Sequence, residues 1–202
     1  MITRKYECIR NNLKTFDLVF FKNNRFISFF HGYSHIAIVV RYEDLKEKPE
    51  NFREGSVLLF ESTSLNKIKD AFENKSKRGV QFVYMSDKLK TCSGQVFIRR
   101  LAGFRTPEML SIFNDFVKEV ENRPYEKGIK GIIELIHSCF QLLTFKQNLT
   151  NIFCVELVAE LYQRLNLISK DKASNNYKIK DFAKDIIKKL NYALLEMFRV
   201  VY

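Results

Sequence analysis

The chain has 202 residues, of which 46% are hydrophobic, and this size and apolar content suit one domain with a packed core. Its formal net charge of +11 suits anionic partners such as nucleic acid or lipid headgroups, but the lysines are scattered and no arginine-rich or RNA-binding signature is present. Four cysteines without a CxxC pair argue against a zinc finger and against a disulfide framework. We therefore expect no metal, no organic cofactor and no nucleic-acid partner.

Five short apolar runs in the first half of the chain predict β-strands, because they are rich in β-branched and aromatic residues and are separated by polar turns. The predicted strands cover residues 17–21, 35–41, 57–62, 79–85 and 95–101. Hairpins can connect such strands without crossover helices, which implies an antiparallel sheet. The charged links at 43–55 and 65–78 are expected to be exposed loops.

Helices are predicted in the second half. Thr106, Pro107 and Glu108 form a start signal, since they combine a capping hydroxyl, a proline in the first turn and an acid near the positive helix end. Helical spacing of apolar residues follows as far as a stop at 122–124. Further helices are predicted at 129–145, from about 151 to 167 and at 179–190. Strands followed by helices indicate an α+β fold, and one domain over residues 1–202 is expected.

Two segments bear on location. The first residues lack a hydrophobic signal core, which predicts a cytoplasmic or intracellular protein. The apolar stretch 132–145 is too short to span a bilayer and carries polar residues. A buried helix is the simpler interpretation of that stretch, and contact with an anionic membrane surface or a lipid chain is the alternative.

Cys154 is the first candidate for chemistry, because it is predicted in the first turn of the helix that starts near residue 151. Unpaired N–H groups and the helix dipole favour negative charge there, so a thiol in that place loses its proton more readily and becomes a nucleophile. The alternative is a small packing residue, since free cysteines are commonly buried and inert.

His35 and Glu61 are the candidates that could activate a thiol. His35 begins the run HIAIVV, where a strand holds an imidazole rigidly enough to act as a base, although His31 competes for that role. Glu61 ends the run VLLF, and a buried carboxylate there needs a partner such as an imidazole on the next strand. Structural alternatives are a histidine bonded to a backbone carbonyl and a glutamate paired with one of the many lysines.

Six segments occur in one order along residues 15–185: DLVFF (17–21), YSHIAIV (33–39), FES (60–62), GVQFV (79–83), RPY (123–125) and FCVELVAELY (153–162). The series resembles the circularly permuted branch of the NlpC-type papain-like family, which has bacterial, eukaryotic and poxvirus members and is related to lecithin:retinol acyltransferase-like proteins. In that branch the catalytic order is His, polar residue, Cys, as in His35, Glu61 and Cys154. One departure is Val155, where family members often carry Ser.

The resemblance implies a permuted papain-like α+β fold, with an antiparallel sheet packed against several helices. It makes Cys154 the nucleophile and an oxyanion donor through its backbone N–H, His35 the general base, Glu61 the orienting residue and Tyr33 part of the substrate pocket. A helical insertion near 126–150 would form a lid or a substrate wall.

The implied activity is that of a cysteine-dependent hydrolase or acyltransferase, acting on an amide or ester bond of a peptide or lipid through a thioester. Two other classes stay open. The first is a catalytically silent papain-like module that binds a host or cellular protein. The second is a basic nucleic-acid-binding protein, for which the sequence carries no recognition motif.

Overall fold

A computed structural model describes residues 1–22, 32–50, 55–63, 67–121 and 145–202, with side chains from residue 154 onward in the last range. The strands are β1 (Thr3–Lys5), β2 (Leu18–Lys22), β3 (His35–Arg41), β4 (Val57–Thr63), β5 (Gly79–Tyr84), β6 (Gln95–Arg99), β7 (Leu101–Ala102), β8 (Ala193–Leu194) and β9 (Phe198–Val201). The α-helices are α1 (Tyr6–Ile9), α2 (Met85–Thr91), α3 (Pro107–Glu121), α4 (Phe145–Arg164) and α5 (Ile179–Phe182).

The main sheet has seven strands in the order β1-β9-β6-β2-β3-β4-β5. The β1–β9 pair is parallel, and the other neighbouring strands are antiparallel. Strands β7 and β8 form a separate two-stranded sheet. The predicted α+β class is thus confirmed, with a mostly antiparallel sheet.

Both faces of the central strands β2, β3, β4 and β5 are buried, because successive side chains of a strand point to opposite faces and most of them in these strands are apolar, whereas the edge strand β1 is exposed. On one face Phe20, Ile38 and Phe60 belong to a core shared with α3, α4 and α5. On the other face Val39 and Leu59 belong to a core shared with α1 and α2. Helix α4 packs over β3 and β4, which brings the second half of the chain onto the middle of the sheet.

Helix α3 confirms the start signal, since Thr106 Oγ1 accepts a hydrogen bond of 3.2 Å from the backbone N–H of Met109. Helix α4 begins six residues before the predicted start near 151 and ends at Arg164. The predicted helix at 129–145 and most of the predicted insertion at 126–150 fall outside the described residues. In the described ranges, no helix combines the length and apolarity needed to cross a membrane.

Two sequence predictions are wrong for tertiary reasons. The helix predicted at 179–190 ends at Phe182, because the carbonyls of Phe182 and Lys184 accept hydrogen bonds of 3.0 and 2.5 Å from the buried Arg99 guanidinium. The link 65–78 is not exposed throughout, since Asp70 is buried and accepts bonds from the backbone N–H groups of Phe72 and Phe82. Helices α1 and α2 and strands β1, β8 and β9 have no counterpart among the elements that the sequence predicts.

Candidate active site

His35 and Glu61 meet between adjacent strands. His35 is the first residue of β3 and Glu61 lies near the end of the antiparallel neighbour β4. The Nε2 atom of His35 lies 2.7 Å from Oε2 of Glu61, so the imidazole donates to the carboxylate. The Glu61 side chain is completely buried, whereas that of His35 is 12% exposed. The predicted pairing of these two residues is therefore present in the structure.

The second oxygen of Glu61 holds two further donors. Lys88 Nζ lies 2.7 Å from Oε1 and Gln81 Nε2 lies 2.9 Å from it. Gln81 is directly opposite Glu61 on β5, and Lys88 reaches over from α2, with its Nζ 5.4 Å from the centre of the Phe21 ring. The sequence leaves two partners open for Glu61, an imidazole and a lysine. In the structure its carboxylate pairs with both.

Burial and the hydrogen-bond partners of Glu61 shift the pKa of its carboxyl in opposite directions. Removal from water by itself raises the pKa of the Glu61 carboxyl, because the charged form loses its hydration. The positive charge of Lys88 and the hydrogen bonds and charge of His35 hold that pKa well below its usual range. Glu61 is consequently an ionised, fully buried acceptor at neutral pH.

Cys154 completes the group from the opposite side of the sheet. Its side chain is 0% exposed, belongs to the core under α4 and interacts with the His35 ring. Glu61 and Lys88 lie on the face of the sheet that α2 covers. His35, at the start of β3, interacts with Glu61 from that face and with Cys154 from the other. Because Nε2 is engaged by Glu61, Nδ1 is the ring nitrogen left for the sulfur.

The charge state of His35 follows from these two neighbours. Burial by itself lowers the pKa of the imidazole, but charge and hydrogen bonding from Cys154 and Glu61 raise it to about 9. The imidazole is therefore mostly protonated at neutral pH. A protonated ring donates from both nitrogens, which fits a carboxylate on one side and a sulfur on the other.

The prediction that Cys154 lies in the first turn of its helix is wrong. Helix α4 begins at Phe145, nine residues before Cys154, so the sulfur lies well inside the helix. The unpaired N–H groups of a helix are limited to its first four residues, and the end of the dipole acts within the first turn. The helix-end arguments for an activated thiol and for the backbone N–H of Cys154 as an oxyanion donor therefore do not apply, and His35 is the titratable neighbour that the structure places beside the sulfur.

Tyr33 lies two residues before His35 and is half-buried. Its ring centre is 5.1 Å from that of Phe20 and 5.6 Å from that of Phe97, and its hydroxyl donates to the Met197 sulfur at 2.9 Å. Tyr33 lines a cavity of about 470 Å³. That this cavity receives a substrate stays a prediction, and the competing base, His31, lies outside the described residues.

Sequence reasoning missed Lys88 and Gln81. Lys88 belongs to a seven-residue helix that had not been predicted, and nothing in its local sequence marks it among the many lysines. Gln81 carried a signal, because a polar residue in an apolar strand needs a buried partner. In the part of the chain that the structure describes, no cluster of three or more potential metal ligands is present. In comparisons with known proteins, no family model and no curated protein matches the chain.

Proposed function

We propose that this chain is a cysteine-dependent hydrolase or acyltransferase with a permuted papain-like fold, in which Cys154 is the nucleophile, His35 the proton carrier and Glu61 the orienting acid. The observation that carries the proposal is the Cys154–His35–Glu61 row, in which one imidazole contacts both a sulfur and a buried carboxylate. Helix α4 and strands β3 and β4 supply these residues from distant parts of the sequence, in the order typical of the permuted family.

The reactive state is a Cys154 thiolate beside a His35 imidazolium. It forms when the neutral imidazole accepts the proton of the Cys154 thiol, and the raised pKa of His35 favours this direction of transfer. The thiolate attacks the carbonyl carbon of an amide or ester and forms a carbon–sulfur bond. The tetrahedral intermediate collapses as the carbon–nitrogen or carbon–oxygen bond breaks, and His35 returns its proton to the leaving group. A thioester remains on Cys154.

Resolution of the thioester decides between hydrolase and acyltransferase. Neutral His35 accepts a proton from water or from another acceptor, whose oxygen or nitrogen attacks the thioester carbonyl. Collapse of this second intermediate releases the acyl product and the Cys154 thiolate. Throughout both steps Glu61 keeps Nε2–H of the ring in place and stabilises the imidazolium, as an orienting carboxylate does.

The burial of Cys154 favours the second candidate, a catalytically silent interaction module. A sulfur that is 0% exposed can be attacked or acylated only when the groups that cover it move aside. A silent module would keep this packing and use its surface alone. The two functions differ in one measurable property, which is whether the folded protein forms a covalent acyl adduct at Cys154.

The test is acylation by p-nitrophenyl acetate, followed by mass spectrometry of the intact and digested protein. We expect one acetyl group on Cys154, released p-nitrophenol in an initial burst, and loss of both in Cys154→Ala. Cys8→Ala is the matched control, because Cys8 is an exposed free cysteine and should not affect the burst. His35→Gln should slow acylation by roughly a hundredfold or more.

Two outcomes would contradict the proposal. One is a burst in Cys154→Ala equal to that of the unaltered chain. The other is the absence of an adduct on Cys154 in a natively folded sample when the same sample, unfolded in urea, reacts fully with iodoacetamide. The second result would establish a thiol that is chemically intact but inaccessible, as the silent module predicts.

A further inference from the structure

The cavity beside Tyr33 lies on the same face of the sheet as Cys154. Its described lining includes Thr3, Lys22, Tyr33, Gln95, Phe97 and Arg199. Cross-strand partners share a face, and the register pairs Lys22 with Gln95, Phe97 with Arg199, and Arg199 with Thr3. Phe97 belongs to the core under α4, so this row of side chains lies on the α4 side, over strands next to those that α4 covers.

The charged side chains that line the described part of the cavity are all positive. Lys22 and Arg199 carry the charged side chains of its described lining, and neither forms an ion pair with a described residue. The Nε atom of Arg199 is buried and has no hydrogen-bond partner among the residues that the structure describes. A buried donor without an acceptor is costly, and a ligand oxygen would satisfy it. Guanidinium and ammonium groups together are a common receptor for carboxylate or phosphate.

The cavity also has an apolar wall that points towards the candidate site. Phe97 is buried in it, and the Tyr33 ring packs against Phe97. Only Ser34, where the chain bends into β3, separates Tyr33 from His35. A ligand whose anionic group sits between Lys22 and Arg199 would therefore lay a short apolar stem along Tyr33, towards the imidazole.

We propose that this cavity binds the oxyanion group, a carboxylate or a phosphate, of the substrate whose acyl bond Cys154 attacks. Lys22 and Arg199 neutralise that group, Gln95 and Thr3 supply neutral hydrogen bonds, and Tyr33 and Phe97 hold the apolar stem. The identity of the ligand as a substrate rests on the proposed function, whereas the anion site itself rests on the cavity alone.

Binding is measured in the Cys154→Ala protein, in which no acyl transfer can occur. Inorganic phosphate and acetate are titrated separately while backbone amide shifts are recorded by NMR, so that the two anions are compared directly. We expect saturable shifts at Lys22, Gln95 and Arg199. Replacement of both cations, Lys22→Gln with Arg199→Gln, should weaken the preferred anion roughly tenfold or more. Lys170→Gln is the matched control, because Lys170 is exposed and remote from the cavity lining, and it should change nothing.

Shifts confined to other parts of the molecule, or equal anion affinity in the double variant, would overturn the anion site. An unchanged melting temperature for the double variant establishes that a loss of affinity is not a loss of folding. The substitution Arg199→Lys should restore part of the affinity, since the charge returns without the fork of donors.

A kinetic comparison separates this inference from the proposed function. A p-nitrophenyl ester of a dicarboxylic acid and a neutral ester of equal length are supplied to the unaltered chain and to the double variant. We expect a preference for the anionic ester of about tenfold in kcat/KM that disappears in the double variant. Acylation of Cys154 without any preference overturns the inference and leaves the proposed function standing. Anion binding without acylation overturns the role of the ligand as a substrate and the proposed function with it.

Discussion

Replacement of Glu61 by glutamine isolates the buried charge on which the candidate site depends. The substitution keeps the volume of the side chain and removes its charge, while three donors still face it: His35, Lys88 and Gln81. Breaking a buried ion pair by neutralising one partner costs about 3–5 kcal/mol. Lys88 is 16% exposed and can turn towards water, so we place the loss for Glu61→Gln near the lower end, at about 3 kcal/mol.

Glu43→Gln is the matched control. Glu43 also pairs with a cation, Arg41, but its side chain is 59% exposed. Exposed pairs contribute about 1 kcal/mol or less, because water screens them. The two variants make the same chemical change and differ in burial, so the difference in their free energies of unfolding, measured in urea at pH 7, reports what burial adds.

A second measurement follows the imidazole itself. The pKa of His35 is raised to about 9 by Cys154 and by Glu61, so loss of the carboxylate should lower it, with burial now opposed by the sulfur alone. An NMR titration of the histidine ring protons measures this pKa, and His35→Gln identifies the resonance among the three histidines of the chain. Unfolding equal to that of Glu43→Gln, together with an unchanged pKa for His35, would refute the reasoning.

Three further variants test neighbouring parts of the structure. The stabilisation from protonated His35 is complete below pH 6.5 and is lost as the pH rises through about 9, so the free energy of unfolding should fall over that window by on the order of 3 kcal/mol. His35→Gln should flatten this dependence of the unfolding free energy on pH. Parallel pH profiles for the variant and the unaltered chain would contradict the prediction. Lys88→Met should lower the free energy of unfolding in urea by about 1–3 kcal/mol, whereas the exposed Lys90→Met should lower it hardly at all. Equal losses of stability in the two variants would argue against the buried contact between Lys88 and Glu61. Arg99→Gln should destabilise the chain by about 3 kcal/mol and speed proteolysis beyond α5, because Arg99 donates to four main-chain carbonyls at the end of α5 and in the segment that follows it. The exposed Arg78→Gln is the control and should have neither effect. Resistance of Arg99→Gln to proteolysis equal to that of the control would contradict the role of Arg99.

Elements defined by local sequence were predicted closely. Strand β3 has the predicted bounds because HIAIVVR combines β-branched residues with polar ends, and α3 starts where its capping hydroxyl lies. The end of α5 could not be predicted, since it depends on a guanidinium 83 positions away that takes the Phe182 carbonyl. Strand β9 was missed for a related reason: its parallel partner β1 lies at the other end of the chain.

The site shows the same division between local and distant information. The residue types of His35 and Glu61, at the ends of two apolar runs, were enough to predict that they pair. The sequence predicts the start of α4 six residues too late, because the polar run before Cys154 is typical of a helix boundary, although asparagine and threonine are only weakly unfavourable in helices. Lys88 could not be found, since its role comes from the position of α2 against the sheet and not from its own sequence.

The charged residues of the candidate site lie close together in the sequence, whereas the cysteine lies far from them. His35, Glu61 and Lys88 span 54 consecutive positions and are joined through neighbouring strands and one short helix, whereas Cys154 arrives only when α4 docks on the sheet. Contacts over short stretches form sooner than long-range ones, and chains fold from the N-terminus during synthesis. We therefore expect the pair of His35 and Glu61 to form ahead of its contact with Cys154, so that in an emerging or partly folded chain the sulfur lacks its histidine neighbour until α4 is in place.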